Sequence, residues 1–190
     1  MLARRKEDFM SKVVVFLADG FEEIEGLTVV DLLRRADIQV VMASIMGKKN
    51  VVGAHGIHME ADALAEEVNF SDTDMIVLPG GMPGTLNLGK CTLVTDKVME
   101  FFKGGKEVAA ICAAPSIFGD LGILNGKAAT SYPGFEERLT GAKVSTNQVE
   151  ADGNVTTSRG LGTAIPFALK LIEKLIDSKK AEEINDSIIY

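Results

Sequence analysis

The chain of 190 residues has no tryptophan, two tyrosines, two histidines and two cysteines. Each scarcity excludes something. Two cysteines, Cys91 and Cys112, make no disulfide framework, and a reducing compartment suits them better. Two separated cysteines with two histidines, His55 and His58, give no zinc-ligand spacing. The few histidines also disfavour a Cys–His hydrolase, whose base must reach the sulfur. Basic charge is short as well: 20 Lys and Arg stand against 27 Asp and Glu, a net charge of −7. A nucleic-acid binder needs a basic patch to neutralise phosphates, so no such partner is expected. No apolar run is long enough to span a membrane. The charged start, MLARRKEDFM, lacks the apolar core of a secretory signal. The expectation is a cytoplasmic protein without a membrane partner. Residues 1–10 read as an N-terminal extension, from an upstream start or as a disordered arm, and 11–190 as a single domain.

What is present is alternation of strand and helix patterns in a chain that is 46% hydrophobic. Lys12 to Ala18 (KVVVFLA) is a continuous β-branched run of the kind buried on both faces of a parallel sheet. Ile24 to Ala36 has apolar residues at helical spacing and ends in Arg34-Arg35, charges favoured at a helix C-terminus. Ile38 to Ile45 is a second strand, and Val51 to Met59 a short antiparallel excursion. Asp62 to Val68 reads as a short helix, Asp74 to Leu78 as a third strand, Leu93 to Lys103 as a helix and Val108 to Ile111 as the next strand. A short strand is expected within Asn125 to Ser131. Asn147 to Ser158 reads as a hairpin turning at Asp152-Gly153. Thr163 to Ile176 is an amphipathic helix, helix continues toward Asp186, and the apolar end Ile188-Ile189-Tyr190 is expected to dock onto the body. Alternation of this kind implies right-handed crossovers and a mostly parallel sheet covered by helices on both faces.

In such sheets ligands bind at the carboxyl ends of the strands. Three segments follow strand ends: Asp19 to Glu25, Pro79 to Gly84, and Cys112 to Ser116. Cys112 stands between a buried strand and a helix opened by Pro115, a residue suited to a first helical turn. Free amides and a helix dipole at such a turn lower a thiol pKa and favour thiolate. The alternative is a buried core cysteine. Glu22, Glu23 and Glu25 suit a helix start electrostatically. One of them turned inward beside sulfur would be pushed toward its protonated form and could share a proton with the thiol. Gly80-Gly81, with Gly84, can aim backbone N–H groups at an anion, although Pro-Gly-Gly is also ordinary loop punctuation. Cys91 reads as structural. No phosphate loop or complete dinucleotide fingerprint is present, so no cofactor and no metal is expected.

These segments together resemble the ThiJ/PfpI superfamily, in its Parkinsonism-associated protein deglycase-like branch. The matching pieces are FLADGFEEIE from Phe16, VLPGG from Val77, AAICAAP from Ala109 and TSRGLGT from Thr157, in the family's order. The resemblance implies a flavodoxin-like α/β sandwich with Cys112 as the nucleophile-elbow cysteine and Glu25 as the buried acid bonded to it. It implies oxyanion-hole amides from Gly81 and Ala113, Arg159 near the pocket mouth as an anion contact, and a homodimer. Two departures qualify it. The protease-like branch has His where this chain has Ala113, which argues against peptidase chemistry. The deglycase branch often has His where this chain has Tyr132, whose hydroxyl can donate a hydrogen bond but, with an ordinary pKa of about 10, is a poor base.

The expected function is therefore a cofactor-independent glyoxalase or deglycase acting on small reactive carbonyls through Cys112. The alternatives are a redox-sensing or chaperone-like protein with Cys112 oxidised to sulfinic acid, or a non-catalytic binding module. The family's thiazole and thiamine label finds no specificity site in this sequence.

Overall fold

The computed structural model describes residues 10–190. Apart from Met10, the expected N-terminal extension lies outside the described residues. In chain order the elements begin with β1 (Lys12–Leu17), α1 (Glu23–Arg35), β2 (Gln39–Ser44), β3 (Asn50–Val52), β4 (His58–Glu60), β5 (Ala63–Leu64) and β6 (Met75–Leu78). They continue with α2 (Gly84–Lys90), α3 (Thr92–Lys103), β7 (Glu107–Ile111), α4 (Pro115–Asp120), β8 (Ala128–Ala129) and β9 (Lys143–Val144). The chain closes with β10 (Val149–Asp152), β11 (Val155–Ser158), α5 (Ala164–Leu175) and α6 (Ser178–Ser187).

The main sheet runs β10-β11-β7-β6-β1-β2-β5. Every pairing in it is parallel except β10 with β11, the expected hairpin, in which Asp152 faces Val155. β1 is buried along its whole length, because helices cover both faces. Its alternation divides the core. Val13, Val15 and Leu17 pack on one side with Phe167 and Leu171 of α5 and Val29 and Leu33 of α1. Val14 and Phe16 pack on the other side with Val98 and Phe101 of α3 and Phe118 of α4. The architecture is the flavodoxin-like sandwich expected. No helix among the described residues is long and apolar enough to cross a membrane.

Four local readings change. Residues 62–68 form no α-helix: β5 adds a two-residue edge to β2, followed by a single 3-10 turn (Ala65–Glu67). The Pro79 to Gly84 loop runs into an additional helix, α2, which buries Leu88 and is tied back by Asn87 Nδ2 donating to the Asp19 carbonyl at 2.9 Å. At the C-terminus only Ile188 packs against the body; Ile189 and Tyr190 are exposed. The helical tail is also broken at Ile176–Asp177, where the Asp177 carboxylate accepts the Lys180 N–H and restarts the helix as α6.

Candidate active site

The strand order decides what meets. β7, β6 and β1 are neighbours and parallel, so the segments after them converge at one edge of the sheet. From β1 the chain goes out to β2 and then returns to β6 on the other side, so this edge lies at a switch in strand order, where open sheets bind ligands.

Cys112 follows β7 directly, with φ of 65°. A non-glycine residue in this left-handed region is strained and persists only when its surroundings hold it there. They do: the Cys112 N–H donates to the Ser158 carbonyl at 2.9 Å, and its carbonyl accepts the Tyr132 N–H at 2.8 Å. The turn lifts the thiol out of the sheet to where the Gly81 and Ala113 amides favour its charged form.

Glu25 lies in the first turn of α1 and is 1% exposed. Its Oε2 accepts the Gly80 N–H at 2.9 Å, while Oε1 is buried without a hydrogen-bond partner among the described residues. Gly80 separates acid from thiol. A Cβ there would lie 2.5 Å from Cys112 Cβ and 2.6 Å from Glu25 Oε2, so only glycine lets the two side chains approach across it. This differs from the expected anion role of Gly80, whose amide is occupied by the acid. Gly81 and Ala113 are the amides left facing sulfur.

Burial pushes the Glu25 carboxyl up to about 7; the neighbouring thiol and the Gly80 amide pull it down, and the Glu22 charge adds to the rise. Burial also pushes the Cys112 thiol up to about 12, reinforced by the Glu25 charge and its hydrogen bond, against the Gly81 and Ala113 amides. The expectation of a depressed thiol pKa therefore fails. Desolvation and a facing carboxylate outweigh two amides, and α4 has only six residues to contribute a dipole. The groups titrate as a pair that holds one proton between the two values.

The other expected residues are placed as follows. Tyr132 adjoins the site through its backbone, and its ring lies against Gly160. Arg159 follows β11, whose last residue, Ser158, accepts the Cys112 N–H; its guanidinium donates to the Thr146 carbonyl at 3.2 Å and sits near Glu136. Glu23 does more than suit a helix end. It is 1% exposed, just beneath the surface, and accepts the His55 N–H at 2.8 Å. Burial alone would raise its pKa, but the bonds from His55 and Ile57 hold it below the ordinary range. Three possible ligand atoms of Glu22, Glu23 and His55 lie within 4.8 Å of one another. His55 Nδ1 already contacts both carboxylates, at 3.4 and 2.8 Å, so ion pairing accounts for the cluster. Neither histidine is hydrogen-bonded to Cys112.

A family model described as the DJ-1/PfpI family matches residues 11–174. The chain belongs to the DJ-1/PfpI family. It is 39% identical over 184 residues to DJ-1 homolog A of Arabidopsis thaliana, covering 95% of this chain and 47% of that one. It thus spans about half the length of this plant relative. It is 34% identical over 168 residues to a protein of Pyrococcus abyssi named a deglycase, covering 86% of this chain and 99% of the other. The solved structure of oxidized Toxoplasma gondii DJ-1 superposes with a TM-score of 0.91 at 35% identity, covering 95% of this chain and 98% of that one.

The DJ-1/PfpI loop after β6 makes one strong packing demand. Gly81 has φ of 88°, and a Cβ on it would sit 2.2 Å from the Glu22 nitrogen and 2.6 Å from the Gly20 carbonyl oxygen. Gly81→Ala should cost about 1–2 kcal/mol for the left-handed backbone and about 1–3 kcal/mol for the overlap. A thermal melt should fall by roughly 5–15 °C. A melt within about 1 °C of wild type would contradict the packing.

Proposed function

We propose that this DJ-1/PfpI protein is a cysteine enzyme of reactive carbonyls, converting methylglyoxal to lactate and glyoxal to glycolate, with glycated groups handled by the same chemistry. One observation carries the reading: Gly80, with no side chain of its own, lets the buried Glu25 carboxyl and the partly exposed Cys112 thiol approach across it, which supports an acid able to take the thiol proton. The deglycase name of the Pyrococcus relative supports it.

The chemistry follows from the proton count. Glu25, as carboxylate, takes the thiol proton while sulfur adds to the aldehyde carbon. The carbonyl π pair moves to oxygen, stabilised by the Gly81 and Ala113 N–H groups, which cost no reorganisation because the fold holds them. Protonation of that oxygen gives the hemithioacetal. Glu25 then removes the proton from the sulfur-bearing carbon, and a proton returned to the adjacent carbon leaves a thioester of lactate on Cys112. Water attacks the thioester, the C–S bond breaks, lactate leaves and the thiol regains its proton. The net change is methylglyoxal plus water to lactate, with no oxidant or reductant. Ala113 in place of histidine leaves no base for a Cys–His peptidase route.

Rapid quenching of the protein with methylglyoxal, followed by peptide mapping, tests the covalent step. The expected adduct lies on the peptide carrying Cys112 and is absent from the one carrying Cys91. An adduct confined to Cys91 or to lysines would overturn the reading.

A further inference from the structure

We infer that the Tyr132 ring, rather than its hydroxyl, is a positioning element that keeps water from the free oxygen of Glu25. Only the activity readout below rests on the proposed function.

Oε2 of Glu25 is held by Gly80, so the protein's treatment of Oε1 decides how strongly the acid holds a proton. That oxygen is buried and has no partner among the described residues. Its neighbour is the bare Cα of Gly160. A Cβ built there would lie 3.7 Å from Oε1, and 3.2 and 3.8 Å from Cδ2 and Cε2 of the Tyr132 ring. The ring and the carboxyl oxygen therefore flank one spot that carries no side chain. Two backbone bonds fix the ring's base: its own N–H to the Cys112 carbonyl at 2.8 Å, and the Phe135 N–H to its carbonyl at 3.1 Å. Tyr132 is still 51% exposed, so its ring is an outer wall with solvent beyond. The hydroxyl makes no hydrogen bond among the described residues, so the apolar ring edge is the part that reaches the site.

The groups acting on the Glu25 charge are the thiol on the β7–α4 turn, the Gly80 N–H after β6, and Glu22 at the start of α1. The β11–α5 loop presents Gly160, and the neighbouring Arg159 turns its guanidinium to Thr146. Among the described residues no cation compensates the buried oxygen. Water admitted beside it would solvate the carboxylate and weaken Glu25 as the acceptor of the thiol proton.

The test follows Cys112 alkylation by iodoacetamide against pH, in a Cys91→Ser background, for wild type, Tyr132→Phe and Tyr132→Ala. Alkylation rises as the pair passes from two protons to one, so its lower inflection reports Glu25. Tyr132→Phe should leave the inflection within about 0.3 pH unit, whereas Tyr132→Ala should move it down by about 1 unit, toward the ordinary carboxyl value. Tyr132→Asn gives the same direction if the alanine variant is poorly folded. An unmoved inflection in both small variants, or an equal shift in Tyr132→Phe, overturns the inference. Lactate assays on the same proteins separate the two readings: no lactate from wild type with the shift present sinks the function alone, and lactate without the shift sinks the ring's role alone.

Discussion

Glu25→Gln is expected to slow lactate formation from methylglyoxal by about 10²–10⁴-fold, the range for loss of a positioned acid–base group. Glutamine keeps the size of the side chain, and its carbonyl oxygen can still accept the Gly80 N–H. It cannot take the thiol proton or carry a proton between the two substrate carbons. The pH profile should change with the rate. Wild-type activity should rise through about pH 7, where the pair first drops to one proton, and the glutamine variant should lack that limb. Stability supplies an independent sign. The folded pKa of Glu25 is raised from 4.5 to about 7, so the folded state binds the proton more tightly than the unfolded chain. That contribution is complete below about pH 4.5 and is lost as pH rises through about 7, an effect on the order of 3 kcal/mol for a shift of this size. Glu25→Gln should flatten this fall, melting relatively higher than wild type at pH 8 than at pH 5. A variant with the wild-type rate and pH limb would remove Glu25 from the chemistry.

The residues that were legible in the sequence are those whose signal is local. The β-branched run of β1, the amphipathic spacing of α1 and α5, and the Asp152-Gly153 turn each state their structure within a few residues. The segments carrying Cys112 and Glu25 could be brought to one edge because both follow runs that read as buried strands, and the family resemblance singled out Glu25 among the three glutamates. What stayed hidden depends on partners distant in sequence. β5 exists because Ala63 and Leu64 complete a register with Ala43 and Ser44, and nothing in Asp62 to Val68 announces that pairing. α2 contains two glycines and is secured by burial of Leu88 and by Asn87 reaching Asp19, so propensity alone gave no helix there. Glu23 resembled ordinary helix-end charge until the His55 loop, 32 residues away, closed over it. The sign of the thiol shift needed the depth of burial, a quantity no spacing of residues reports. The Gly80 amide likewise could be assigned to the acid rather than to an anion only once α1 and the β6 loop were placed together.

Cys112→Ala should leave the fold intact. Alanine keeps the same left-handed backbone strain, retains both backbone hydrogen bonds and removes one sulfur from a partly exposed position. It should nevertheless abolish turnover, since among the described residues no second thiol and no histidine is hydrogen-bonded to Glu25, and the amides alone have no nucleophile to assist. Lactate formation from methylglyoxal, measured side by side for wild type, Cys91→Ser and Cys112→Ala, is thus the most direct test of the account. The account predicts turnover in wild type and Cys91→Ser, and only the protein-independent background in Cys112→Ala. Equal rates in wild type and Cys112→Ala would contradict it.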